Sequence, residues 1–197
     1  MTGEDERDDG DEGRADQFVC TAAVLDVTPD VVAVSNLGVA SYVLAGVADR
    51  ERNFYQWGSM GVTTPTGLGL ALAVDDPVVV FEGDGSLLMS LGVLSTLGAV
   101  DPPNLTVVVW DNAIYGTTGG QPNHSASTDF VGVAESCGVP ATRVRSEDAF
   151  EDAYRAATER DRTELIVCAV EPVDPDTRPP FDFAHIKRRV REELAGE

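Results

Sequence analysis

The sequence predicts an α/β domain built on a doubly wound parallel sheet with helices on both faces. Three observations predict it. Short β-branched runs such as 78–81 and 105–110 are apolar without alternation, as strands covered on both faces are. Longer amphipathic or small-residue stretches separate them, the rhythm of repeated strand–helix units. The length of 197 residues, with 43% hydrophobic content, suffices for one good core, so a single domain is expected.

Taken in order, residues 1–16 (MTGEDERDDGDEGRAD) are charged, glycine-bearing and without apolar periodicity, and are expected to form a disordered acidic tail before a domain at 17–197. Residues 31–35 read as a buried strand, with a helix after it to about Ala48. A short strand at 54–57 precedes a Gly/Ala/Leu-rich helix at 66–74. The strand at 78–81 leads into a helix at 86–100, and 105–110 is the next strand. A Gly/Thr/Ser/Asn loop then runs to about Thr128, where Asp129 is placed to cap a helix. After it come a weaker strand at 139–144, a polar helix at 146–160 capped by Ser146 and a last buried strand at 165–170. A proline-broken link at 172–180 leads to a terminal helix at 183–194.

The formal charge is −20, and Lys187 is the only lysine. Such a surface repels phosphate backbones and anionic lipid, which argues against nucleic-acid and membrane partners. Acidity of this kind with ordinary apolar content suggests adaptation to molar salt, where screening shortens to about 3 Å. The competing reading, an acidic mimic or chaperone-like surface, fits less well because the acids are spread along the chain. No apolar run is long enough to span a bilayer, and the acidic start does not resemble a signal peptide, so a cytoplasmic protein is expected. Cys20, Cys137 and Cys168 are widely spaced and odd in number, and read as small buried hydrophobes. His124 and His185 lie far apart, so any metal should be oxygen-ligated.

Ligands of doubly wound folds sit at the carboxyl ends of strands, which directs attention to the residues just after Phe81 and Trp110. The first of these strands ends in Gly83-Asp84-Gly85-Ser86 and enters a helix. Two glycines permit close backbone approach, and the helix start offers N–H groups to an anion. A P-loop is excluded because the turn has no lysine, and a dinucleotide fingerprint would need glycine where Leu88 stands. Asp84 would repel a bare phosphate. A divalent cation between them resolves the conflict, so an Asp in this turn predicts Mg²⁺. The second ligand should come from a neighbouring strand end, where Asp111-Asn112 come directly after Trp110; 26 residues separate Gly85 from Asn112.

GDG, this gap and Asn together resemble the cofactor motif of thiamine-diphosphate enzymes. The resemblance implies the thiamine diphosphate-binding fold, thiamine diphosphate and Mg²⁺ as cofactors, and Asp84, Asn112 and the Ile114 carbonyl as metal ligands. In the family the Asn is often the second of a pair; here the first position is Asp111. The segment Gly58-Ser59-Met60-Gly61 resembles the one that holds the aminopyrimidine in the decarboxylase branch. That implies a Gly58 carbonyl and a Met60 backbone N–H directed at the pyrimidine, with the Met60 side chain as a wedge beneath a bent cofactor. GDGS with the adjoining LLMSLGVLSTLG, and Tyr115-Gly116-Thr117-Thr118-Gly119-Gly120-Gln121, are similar to sulfopyruvate and phosphonopyruvate decarboxylases. The chain has the size of the β subunit in the two-subunit members.

In that family a pyrimidine-domain Glu drives catalysis, and with a single domain expected here, no second one is expected to carry it. The resemblance therefore implies an α subunit that supplies the Glu, a hetero-oligomer, and decarboxylation of a small 2-oxoacid to an aldehyde and CO₂. A sulfonate or phosphonate tail calls for cationic anchors, yet loop 112–128 has neither Arg nor Lys. His124, Thr117, Thr118, Gln121 and Asn123 could supply neutral donors there, and His124 a proton. The alternatives are a carboligase resembling acetolactate synthase, a 2-oxoacid:ferredoxin oxidoreductase β subunit, and a non-catalytic cofactor-binding subunit. The cysteines lack iron–sulfur spacing, which weighs against the second.

Overall fold

A computed structural model describes residues 13–196, and residues 1–12 of the expected tail lie outside that range. The chain elements are α1 (Gln17–Val27), β1 (Val32–Ser35), α2 (Val39–Val47), β2 (Asn53–Tyr55), α3 (Thr63–Ala71), β3 (Val78–Gly83), α4 (Asp84–Leu88) and α5 (Val93–Val100). They continue with β4 (Leu105–Asp111), β5 (Ile114–Tyr115), β6 (Gln121–Pro122), α6 (Phe130–Ser136), β7 (Ala141–Val144), α7 (Glu147–Thr158), β8 (Glu164–Ala169) and α8 (Phe183–Ala195).

Six strands form one sheet in the order β2-β1-β3-β4-β8-β7, and every pairing in it is parallel. The chain moves outward from β1 to β2, then returns to place β3 on the other side of β1. That reversal opens a crevice between the carboxyl ends of β1 and β3.

Successive side chains alternate between two cores. Val79, Phe81, Val108, Trp110, Ile166 and Cys168 face α1, α2, α7 and α8. Val78, Val80, Val107, Val109, Leu165 and Val167 face α3, α4, α5 and α6. On the first side Phe81 stacks on Trp110 with centroids 5.6 Å apart, and Trp110 meets Phe150 at 5.4 Å. The two-sided burial explains the uninterrupted apolar runs in the strands. Cys20 and Cys168 are fully buried and Cys137 is half-buried, and all three are free thiols.

Three local expectations change. Arg14–Asp16, assigned to the tail from composition, are packed into the domain: Ala15 bridges Val170, its N–H donating to the Ala169 carbonyl at 3.0 Å. The helix expected over 86–100 is two helices, broken at Met89–Gly92. There the N–H groups of Val93, Leu94 and Ser95 bond three residues back, which tightens the turn and re-aims α5. Finally, α1 is a helix in a stretch to which the sequence assigns no element. Among the described residues no helix is long and apolar enough to cross a membrane.

Candidate functional site

The crevice at the switch point is lined by residues from five segments. Gln17 comes from α1; Asn36, Leu37, Val39 and Ala40 come after β1; Met60 precedes α3. Gly83, Asp84, Gly85 and Ser86 lie at the end of β3, and Trp110, Asn112 and the run Ile114–Thr118 at and beyond the end of β4.

Asp84 is 2% exposed. Its Oδ1 accepts from the Gly85 N–H at 2.7 Å and its Oδ2 from the Ala113 N–H at 2.8 Å. The carboxylate thus stitches the β3 turn to the segment after β4. Burial pushes its pKa up, and the neighbouring Asp111 carboxylate adds to the rise. Asp111 behaves oppositely. Its burial acts upward, but the Arg143 guanidinium at 2.8 Å and the Ser125 hydroxyl at 3.0 Å outweigh it and hold the group below its ordinary value. Asp111, where the family motif often has Asn, is therefore engaged away from the cleft. Asn112 Oδ1 accepts from Ile114 N at 3.0 Å, and between them Ala113 holds a left-handed φ of +64°. That strained alanine turns the chain so that Asn112 and Ile114 both line the cleft with Asp84.

The short β5–β6 hairpin packs onto two glycines. A Cβ at Gly85 would lie 2.4 Å from Tyr115 Cε1, and one at Gly38 would lie 2.4 Å from Thr117 Cγ2. Gly38 also has φ +79° and opens α2 with no side-chain cap, which leaves the first N–H groups of that helix uncapped beside the cleft.

A buried polar network ties these segments together. Ser86 Oγ accepts from Gly61 N at 2.9 Å and donates to Asn36 Oδ1 at 3.3 Å, and Thr63 Oγ1 reaches the same oxygen at 3.1 Å. Glu82 is fully buried, and burial raises its pKa. Its Oε2 accepts from Thr64 N at 3.0 Å and Thr64 Oγ1 at 2.9 Å, holding the first turn of α3 against the end of β3.

Most of the residues that the sequence motifs single out meet here: Met60, Gly83, Asp84, Gly85, Ser86, Asn112, Ile114, Tyr115, Gly116, Thr117 and Thr118 all line the cleft. Gly58 and Ser59 do not line it; they are exposed in the loop before α3. His124 is also exposed and outside the cleft, its carbonyl accepting from Ser127 and Thr128. Gln17, Asn36 and Trp110 also line the cleft and are missed by the motifs, as is Glu82, which supports it from behind through Thr64. Asn36 has a usable signal, since it directly succeeds the strand at 31–35 at its carboxyl end. Gln17 carries no sequence signal.

The donor set fits a diphosphate held through a divalent cation. Among the described residues no group of three acidic, His or Cys side chains gathers to hold a metal alone. Asp84 and Asn112 would therefore need backbone and ligand oxygens to complete a shell, which is the habit of Mg²⁺. The cleft floor at Gly85, where a Cβ would strike Tyr115, also suits close backbone approach.

Residues 37–168 match the family model for the C-terminal TPP-binding domain of thiamine pyrophosphate enzymes. The chain is 38% identical to the sulfopyruvate decarboxylase subunit beta of Methanococcus maripaludis, over 76% of this chain and 80% of that one. It is 42% identical to the subunit of the same name from Methanocaldococcus jannaschii, over 72% and 76% of the two chains. It is 41% identical to the phosphonopyruvate decarboxylase of Streptomyces viridochromogenes, over 82% of this chain but 42% of that protein. Among solved structures, the thiamine diphosphate-dependent 4-hydroxybenzoylformate decarboxylase of Rhodococcus jostii superposes with a TM-score of 0.66 at 22% identity, over 82% of this chain. Benzoylformate decarboxylase of Polynucleobacter necessarius gives 0.67 at 21%, over 83%. The chain spans about a third of the length of these solved chains, at 35% and 34%, and at this identity they establish the shared fold.

Proposed function

The chain belongs to the thiamine pyrophosphate enzyme family, and on that premise we propose that it is the β subunit of a thiamine-diphosphate- and Mg²⁺-dependent decarboxylase that converts 3-sulfopyruvate to sulfoacetaldehyde and CO₂ with a separate α subunit. The observation that carries this reading is identity: the relatives matched over most of both chains, at 38% and 42%, are named sulfopyruvate decarboxylase subunit beta.

In this reading Asp84, Asn112 and the Ile114 carbonyl would hold the cation, Gly83–Ser86 and Gly116-Thr117 would cradle the diphosphate, and Met60 with the Gly58–Ser59 loop would serve the pyrimidine end. When bound, thiamine diphosphate supplies the electron sink for breaking a carbon–carbon bond beside a carbonyl. A bound cation would compensate the buried Asp84 carboxylate, since Arg143 is occupied by Asp111. The α subunit contributes the pyrimidine-domain Glu, so this chain alone should not turn over. His124, exposed on the 112–128 loop, would then meet substrate only at the interface between the chains.

The test is reconstitution. The chain is purified with and without the product of an adjacent gene carrying that Glu, and aldehyde and CO₂ are measured from sulfopyruvate, phosphonopyruvate and pyruvate. Turnover by the chain alone, or none by the pair, would sink the proposal. Faster release from phosphonopyruvate than from sulfopyruvate would favour the second substrate, which the 41% identity to the Streptomyces enzyme supports. Acetolactate instead of aldehyde would indicate carboligation. His124→Ala should lower turnover of the pair more than cofactor affinity.

A further inference from the structure

Gln17 opens α1 and lies outside the segment that matches the family model. Its side chain is 1% exposed and lines the same cleft as Asp84, Gly85, Asn112 and Thr117. Its Nε2 is buried and has no hydrogen-bond partner among the described residues. A stranded amide donor weakens a fold, so its retention at a cleft wall points to a ligand acceptor.

The backbone beneath Gln17 is pinned, which fixes the start of α1 at the cleft wall. Ala15 pairs with the end of β8, with Ala15 N to Ala169 O at 3.0 Å and Glu171 N to Ala15 O at 3.1 Å. Asp16 accepts from Phe18 N at 2.7 Å, and its own N–H donates to Glu147 Oε1 at 2.7 Å. The cleft also lacks cationic side chains: neither Arg nor Lys lines it among the described residues. Any anion there beyond the reach of a bound cation must be met by neutral donors.

We propose that Gln17 is a cofactor-binding residue, its Nε2 donating to a diphosphate oxygen of thiamine diphosphate. The assignment rests on the cleft being the seat of that cofactor. It adds to the family's motif residues a donor from a helix outside the matched segment.

The experiment uses the full chain and isothermal titration with three probes: thiamine diphosphate plus Mg²⁺, magnesium pyrophosphate, and thiamine. Gln17→Leu and Gln17→Met remove the donors while keeping bulk, and melting temperatures are recorded without ligand. Expected is a roughly ten- to hundredfold loss of affinity for both diphosphates, as for a hydrogen bond to a charged group, with thiamine affinity within about twofold of wild type. The unliganded variants should melt at or above the wild-type temperature, because the stranded donor is gone. Diphosphate affinity within about twofold of wild type in both variants would overturn the assignment. So would an equal loss for thiamine, or a fall in the unliganded melting temperature of both variants, which would make Gln17 a purely structural residue. If the wild-type chain binds neither diphosphate, the cleft reading itself fails and the role of Gln17 falls with it. If wild type binds and the variants match it, only the role of Gln17 falls.

Discussion

Replacing Gly85 with alanine tests whether close packing, and not backbone conformation, demands glycine in the Asp84 turn. Gly85 is absent from the glycines with left-handed φ, so an L side chain meets no backbone objection there. The objection is contact. The new Cβ would lie 2.4 Å from Tyr115 Cε1, 2.9 Å from Cδ1 and 3.2 Å from Asn123 Nδ2. Carbon atoms rest at about 3.5–4.0 Å, so the ring must retreat by roughly 1 Å or more. Tyr115 is held in its hairpin, its carbonyl accepting from Gly120 N at 3.0 Å and its strand pairing with Gln121, so a displaced ring loads that hairpin. The hairpin carrying Gly116 and Thr117 should move with it. Overpacking of this kind costs about 1–3 kcal/mol, and in a domain of this size each kcal/mol lowers Tm by about 2–4 °C. The assay pairs thermal melts with titration of thiamine diphosphate and Mg²⁺ in a double-mutant cycle using Tyr115→Ala. Gly85→Ala should lose at least about tenfold in affinity, and in the Tyr115→Ala background its stability penalty should vanish. An undiminished penalty without the ring would refute the packing argument.

Three further outcomes are expected. Ala113→Gly should relieve about 1–2 kcal/mol of left-handed strain against roughly 0.5–1 kcal/mol of added chain entropy, raising Tm by a few degrees at unchanged cofactor affinity; a lower Tm would contradict it. Asp49 is raised by burial but lowered more strongly by Arg189 at 2.7 Å and the Tyr55 hydroxyl, so its folded pKa lies below the usual value. Its contribution is present above the unfolded value near 3.8 and disappears as pH falls through the folded one. Asp49→Asn should therefore cost no more than about 1 kcal/mol at pH 7 in urea melts, and progressively less as acid protonates the carboxylate; a difference independent of pH would exclude the ion pair as its source. With a formal charge of −20, Tm should climb by several degrees between 0.1 and 2 M KCl; a flat profile would remove the case for salt adaptation.

The sheet was legible because its strands are buried on both faces, which leaves runs such as 105–110 nothing but apolar or β-branched residues. By contrast, α1 was invisible because its buried stripe reads Gln17, Cys20, Thr21 and Val24, a helical spacing with half its positions polar. Within the site, local order carried Asp84 and Asn112, each sitting directly at a strand end. Glu82 joins the support of the site only through Thr64, a partner 18 positions away. Such long-range pairings have no local periodicity to betray them. The break between α4 and α5 was missed because Leu87, Leu94 and Leu97 keep helical spacing across it.

The buried links from Glu82 to Thr64 and from Ser86 to Gly61 join the two ends of the crevice mechanically. Load placed on the Asp84 turn is thereby shared with the first turn of α3, some twenty residues earlier in the chain. In hydrogen-exchange terms, Thr64 and Gly61 become reporters: their amides should slow when pyrophosphate and Mg²⁺ occupy the far end, although neither touches them. The strand end then works as a crossbeam, through which grip on one half of a ligand stiffens the seat for the other.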